Sequence, residues 1–223
     1  MPLWERELAP RLAGRPCRAL EVGALEGRAT LWMLEHLLQH PRSRVVCLDE
    51  FRSAGAGGKE AWVACSQGEP RRVGDVWAAF QANVMRGPGA KKAAPLRGPP
   101  ADTLRGRGAG GGAAARRLLA PASFDLVTID PPGSARSALE LMVLAFPLLK
   151  PGGVMVVDDY TWSKEHDGRC PRGGVDAFLA AYAQDVRVVH AGWQVVLERR
   201  AEPLPLGRCL SEYYPEPRPG KLC

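Results

Sequence analysis

The stretch Arg18-Ala19-Leu20-Glu21-Val22-Gly23-Ala24-Leu25-Glu26-Gly27-Arg28-Ala29-Thr30 decides the fold class. Arg18 to Val22 is a short apolar run of strand length, Gly23 and Gly27 punctuate a turn, and from Arg28 the pattern becomes helical as far as Gln39. A strand passing through a glycine turn directly into a helix is the first half of a parallel β-α-β unit.

Outward from this stretch the alternation continues. Arg44 to Leu48 reads as a strand, Val73 to Met85 as a helix, Phe124 to Ile129 as a strand, Ala135 to Leu149 as a helix, Val154 to Val157 as a strand and Val175 to Ala183 as a helix. Such a series predicts a parallel sheet covered by helices on both faces. The end differs, because the strand-like runs Val186 to His190 and Trp193 to Glu198 are separated only by Ala191-Gly192, enough for a hairpin but not for a crossover. The sheet is therefore expected to finish with one antiparallel strand. An opening helix around Leu3 to Leu12 and a Pro-rich tail from Ala201 lie outside the alternation, as packing or partner segments. Residues 1–200 read as one domain and 201–223 as a tail. The Gly- and Pro-rich stretch from Arg86 to Arg117 reads as loop, mobile in part.

Composition narrows the function classes. The 223 residues, 46% hydrophobic and 24% charged, are enough to bury a core without metal or disulfide staples. No apolar run reaches the roughly 20 residues of a membrane span, and the acidic residues Glu5 and Glu7 stand where a signal peptide would be basic and then apolar, so a cytoplasmic location is expected. The six cysteines are scattered without metal-site spacing. His36 and His40 are spaced i, i+4 but lack an acid between them and a third ligand nearby, which leaves a surface helix face. A net charge of +6 comes mostly from 24 arginines spread along the chain, so no nucleic-acid footprint is expected.

The chemistry gathers at predicted strand ends. After the first strand, the glycine turn lets a ligand approach the backbone, and the helix N-terminus offers N–H groups to an anion. Gly23 and Gly27 do not make the Gly-x-Gly-x-x-Gly spacing of dinucleotide sites, so a smaller nucleoside ligand fits better. The second strand closes on Asp49, where a carboxylate can accept both hydroxyls of a ribose. Later strands close on Asp130 and on Asp158-Asp159-Tyr160. In an open α/β sheet that edge is where ligands bind.

With these residues in place the sequence resembles the class I S-adenosylmethionine-dependent methyltransferases, in particular the bacterial-type O-methyltransferases related to the macrocin and catechol groups. The match rests on Leu20-Glu21-Val22-Gly23 with Gly27, Cys47-Leu48-Asp49, Phe124 to Asp130, and Leu148-Leu149-Lys150-Pro151-Gly152-Gly153 with Asp158-Asp159-Tyr160. Phe80-Gln81-Ala82-Asn83-Val84 adds to it, and the whole runs from about Arg18 to Arg199. The resemblance implies a Rossmann-like α/β fold with a seven-stranded, mostly parallel sheet and O-methylation of a small hydroxylated acceptor such as a phenol, catechol or sugar-like diol.

By the same resemblance, Glu21, Gly23, Gly27 and Thr30 hold the methionine end of the cofactor and Asp49 the ribose. Asp130 serves near the cofactor's amino group. Asp130, Asp158 and Asp159 match the ligands of a divalent cation in metal-dependent relatives, for which Mg²⁺ is the suited ion, while metal-free relatives carry acids at the same places. Where relatives contact adenine this chain has Gly98-Pro99-Pro100-Ala101-Asp102, with Pro100 and Ala101 replacing the usual polar residues. Ala29 stands where many relatives have serine. The histidine or lysine that often follows Asp130 is replaced by Pro131-Pro132-Gly133-Ser134, which leaves Lys164 and His166, with Trp162 beside them, as candidates in the next loop. These departures keep open a second reading, a binding or scaffolding protein that has lost turnover, and a third, an NAD-dependent dehydrogenase. The expected partner is a small-molecule acceptor, with no membrane, and a homodimer is compatible with the terminal segments.

Overall fold

Four consecutive buried residues, Ala19, Leu20, Glu21 and Val22, make the first strand an interior one. The computed structural model describes residues 2–52, 61–63, 71–73, 75–107, 112–161 and 170–202. Among them seven strands form one sheet in the order β5-β2-β1-β6-β7-β9-β8, and two short strands, β3 (Ala61–Val63) and β4 (Arg71–Val73), form a separate antiparallel pair. The sheet comprises β1 (Arg18–Val22), β2 (Arg44–Asp49), β5 (Ala93–Arg97), β6 (Phe124–Ile129), β7 (Leu149–Val157), β8 (Val186–Ala191) and β9 (Val195–Arg199), with helices around it. The chain divides into two compact units, Met1–Leu119 and Ala120–Cys223.

In the first unit β1 pairs parallel with β2, and β2 parallel with β5. Their apolar faces and the helix α3 (Arg28–His36) enclose Leu20, Met33, Leu37, Leu38, Val46 and Leu48, all at 2% exposure or less. The opening helix is two pieces, α1 (Pro2–Glu7) and α2 (Ala9–Leu12), broken where Pro10 withholds an N–H. Both belong to the core: Trp4, Leu8 and Leu12 are buried, and Trp4 meets Trp32 of α3 edge-on at 5.4 Å. The helix expected from Val73 begins later, at α4 (Val76–Phe80), because the Asp75 carboxylate caps the N–H groups of Trp77 and Ala78 at 2.9 and 3.2 Å. It continues as a π turn over Gln81–Met85.

The largest departure from the sequence reading is the stretch expected to be loop. It holds β5, α5 (Pro100–Leu104) and α6 (Ala113–Leu118). Pro95 argues against a strand in the interior of a sheet, but β5 lies at the end of this one, where one side needs no ladder partner.

In the second unit β6 and β7 are parallel, and β9 runs antiparallel to both β7 and β8. The single antiparallel strand therefore lies between two others, and β8 forms the border of the sheet. The hairpin turn is Gly192–Gln194, later than the Ala191-Gly192 pair suggests, because β8 extends through Ala191. The helices α7 (Ala135–Ala145) and α8 (Arg172–Ala181) touch through Gly174, which leaves no room for a Cβ against the backbone of Ala135 and Leu139.

Candidate functional site

Because β1, β2 and β5 are parallel, their C-terminal ends emerge on one edge. Asp49 ties that edge together. Its Oδ2 accepts from Leu25 N–H at 3.0 Å and its Oδ1 from Phe51 N–H at 2.6 Å, while its carbonyl accepts from Gly98 N–H at 2.9 Å. The three chain segments leaving β1, β2 and β5 thus meet on one residue, itself only 8% exposed. Each carboxylate oxygen has a second lone pair, so the group still has capacity for two hydroxyl donors.

The turn between β1 and α3 is built on left-handed backbone at Gly23 (φ 91), Leu25 (φ 46) and Gly27 (φ 86). Glycine at the first and last positions adopts this without the steric penalty a side chain brings. Gly27 is doubly constrained, since a Cβ there would overlap the side chain of Val84 and crowd Phe80. The π turn that supplies Val84 also sends Asn83 Nδ2 to the carbonyl of Glu26 at 2.8 Å, holding the turn from below. The turn opens into the N-terminal N–H groups of α3, which have no intrahelical acceptors.

Glu21 and Thr30 face each other beneath this turn, both buried, with the Thr30 hydroxyl donating to the Glu21 carboxylate. Cys47 Sγ lies 3.7 Å from the same hydroxyl. Burial pushes the Glu21 carboxyl from its ordinary 4.5 up to about 8, the Thr30 hydrogen bond working against the rise and the charge of Asp49 adding to it. Burial likewise pushes the Cys47 thiol up, with the nearby Glu21 adding to the effect. Thr30, expected to hold a ligand with its hydroxyl, donates its proton to Glu21 and keeps its acceptor lone pairs.

Beside Asp49 the structure assembles residues that the sequence alone does not single out. Phe51 takes a left-handed backbone (φ 51) and tucks its ring, 2% exposed, between Trp77 and Phe80 at 5.0 and 4.8 Å between centroids. Arg97, at the end of β5, lays its guanidinium over the Trp77 ring at 4.6 Å. Finding them requires knowing that β5 is a strand.

In the second unit Asp130 follows β6 and is exposed, while Asp158 and Asp159 follow β7 and are half-buried. Asp158 Oδ1 accepts from the N–H of Asp159, which sits in left-handed backbone (φ 59), and Asp158 N–H donates to the Ile129 carbonyl at 2.9 Å. Tyr160 is fastened twice: its N–H to the Trp193 carbonyl at 2.8 Å and its hydroxyl to Asp176 at 2.9 Å. Burial and that carboxylate raise the Tyr160 phenol to about 12, which keeps it protonated. Among the described residues no three His, Cys, Asp or Glu side chains converge to hold a metal ion. The Mg²⁺ site that the resemblance allows at Asp130, Asp158 and Asp159 thus gains no support from the described residues. His36 stacks on Trp32 at 4.6 Å. Trp162, Lys164 and His166 lie outside the described residues. The buried Thr128 hydroxyl, two residues before Asp130, has no hydrogen-bond partner among the described residues.

The family defined by the methyltransferase domain matches residues 20–160. Among solved structures, the chain is similar to the O-methyltransferase TomG from Streptomyces achromogenes, involved in tomaymycin synthesis and crystallised with S-adenosylmethionine. The identity is 19%, with 89% of this chain and 78% of that one covered and a TM-score of 0.57. It is similar also to the O-methyltransferase from Bacillus cereus in complex with S-adenosylhomocysteine, at 16% identity, 82% and 74% coverage and a TM-score of 0.55. A protein from Clostridium thermocellum, provisionally designated an rRNA methylase, matches at 11% identity, 90% and 96% coverage and a TM-score of 0.61. The comparison with curated proteins finds no match. No helix among the described residues is long and apolar enough to cross a membrane.

Proposed function

The chain belongs to the methyltransferase-domain family, and from that premise we propose that it moves a methyl group from S-adenosylmethionine to a hydroxyl oxygen of a small acceptor, a phenol, catechol or sugar-like diol. The observation that carries the cofactor half is Asp49, held by Leu25 and Phe51 at the C-terminal edge of a parallel sheet with lone pairs to spare for a ribose. Support for oxygen as the acceptor atom comes from the O-methyltransferases with which the fold is shared.

When bound, S-adenosylmethionine supplies a methyl group on a positively charged sulfur. The chain's own contribution is positioning. Gly23 and Gly27 bare the backbone beside the ligand, the N–H groups of α3 face its carboxylate, and Asp49 fixes the ribose and so the line of the transfer. Glu21, with Thr30 behind it, faces the methionine end from below. The acceptor's proton falls to Asp130 at the end of β6, or to Lys164 or His166 in the segment after Tyr160.

Calorimetric titration of the purified chain with S-adenosylhomocysteine tests the cofactor half. Micromolar binding supports the reading and leads to an acceptor screen by mass, in which small diols, phenols and RNA compete. No binding by a folded sample overturns it in favour of a scaffold, which the chemistry of Pro100 and Ala101 would then explain.

A further inference from the structure

The loop leaving β5 has few backbone donors to offer a nucleobase. Gly98 spends its N–H on the Asp49 carbonyl at 2.9 Å, and Pro99 and Pro100 have none to give. Ala101 adds no polar side-chain atom. A purine presents ring nitrogens that accept hydrogen bonds; beside the backbone N–H groups of Ala101 and Asp102 at the start of α5, the side-chain donor that ends the strand is Arg97.

Arg97 has the right place and chemistry. It is the register partner of Asp49 across the parallel β2–β5 pair, one strand spacing of about 4.8 Å away. A nucleoside whose ribose sits on the Asp49 carboxylate extends its base from that point, and Arg97 ends the strand alongside. The guanidinium is exposed and is held over the half-buried Trp77 ring at 4.6 Å. Trp77 is itself fixed by Phe51 and by stacking on Phe80 at 5.9 Å. Stacking on one face leaves the planar N–H edge and the other face available, and it reduces the rotamer freedom lost when a ligand is gripped.

We infer that Arg97, steadied on Trp77, is the residue that recognises the adenine ring of the cofactor in this chain, in place of the polar loop residues it lacks. The inference rests on the proposed use of S-adenosylmethionine. It makes Arg97 a specificity-determining contact and Trp77 its positioning residue.

The test is calorimetric titration of the full chain with two probes, S-adenosylhomocysteine and adenosine, for wild type, Arg97→Met and Arg97→Lys. Methionine keeps an apolar stem on Trp77 but removes every donor, while lysine keeps the charge without the planar fork. Arg97→Met is expected to weaken both probes by about 10- to 100-fold, the range for a lost hydrogen bond to a charged group, with Arg97→Lys recovering only part. Unchanged affinity in Arg97→Met overturns the inference. So does a loss confined to S-adenosylhomocysteine, since Arg97 would then meet the amino-acid end. If wild type binds neither probe while folded, the methyltransferase reading itself fails, a result separate from the variant comparison. Should Arg97→Met melt below wild type, Arg97→Gln keeps a planar amide over Trp77 and carries the same comparison.

Discussion

Glu21 is a carboxyl that the fold holds in its neutral form, so Glu21→Gln is expected to stabilise the protein at neutral pH and to remove part of its pH dependence. The group titrates at about 8 in the fold against 4.5 ordinarily. Its folded value is raised, so its contribution is fully present below pH 4.5 and is lost as pH rises toward 8. At 1.36 kcal/mol per unit the difference of 8 − 4.5 corresponds to about 5 kcal/mol lost above pH 8 and about 3 kcal/mol at pH 7. Glutamine has nearly the same shape, and its carbonyl still accepts from Thr30, so little is given up in exchange. Urea unfolding of wild type and variant, followed by tryptophan fluorescence from pH 5 to 9, gives the difference directly, and all groups common to both cancel. The gap should widen by about 1.4 kcal/mol per unit between pH 5 and 8, then level off. Parallel curves across that range would refute the reasoning and place Glu21 in contact with a cation or solvent in the native state.

Three other outcomes are expected. Asp49→Ala strands the N–H groups of Leu25 and Phe51, which should lower stability by about 2–4 kcal/mol and S-adenosylhomocysteine affinity by at least about 100-fold, measured by urea unfolding and calorimetry. Gly174→Ala drives a methyl into the Ala135 carbonyl where α7 and α8 touch, and a loss of about 2 kcal/mol or more, or failure to fold, is expected from thermal melting. Affinity for S-adenosylhomocysteine, and turnover of any acceptor the screen returns, should be the same with Mg²⁺ as with a chelator, since among the described residues no three His, Cys, Asp or Glu side chains converge to hold a metal ion. A chelator that abolishes turnover would reverse that conclusion.

Strands whose two faces are both buried are plain in the sequence, because burial on both sides leaves an unbroken apolar run: β1 and β6 stand where the pattern puts them. β5 is not legible for the opposite reason. As an edge strand it is only partly buried, tolerates Pro95, and reads as Ala93-Ala94-Pro95-Leu96-Arg97 within a stretch rich in glycine and proline. The same blindness extends to the site. Asp49 can be named from its place at a strand end, but Phe51, Trp77 and Arg97 come together only through the β2–β5 pairing and the left-handed backbone at Phe51. For a related reason sequence places the three later acids at strand ends without saying whether their oxygens converge, and among the described residues no such group of three is found.

The hydrogen bonds of Asp49 also bear on how binding is coupled to folding. A carboxylate that already accepts from Leu25 and Phe51 has its geometry set before any ligand arrives, so on the proposed reading a ribose would meet an ordered acceptor. The same bonds close the β1–α3 turn against the segment after β2, and the Gly98 N–H adds the segment after β5. Replacing the Asp49 side chain therefore disturbs the segments after β1 and β2 at once, the backbone bond to Gly98 remaining, and its effects on stability and affinity should not separate. Arg97 is different, because its place is fixed by β5 and its guanidinium rests on Trp77, so removing the donor leaves the frame standing. Comparing the two substitutions distinguishes residues that build the cradle from those that read what lies in it.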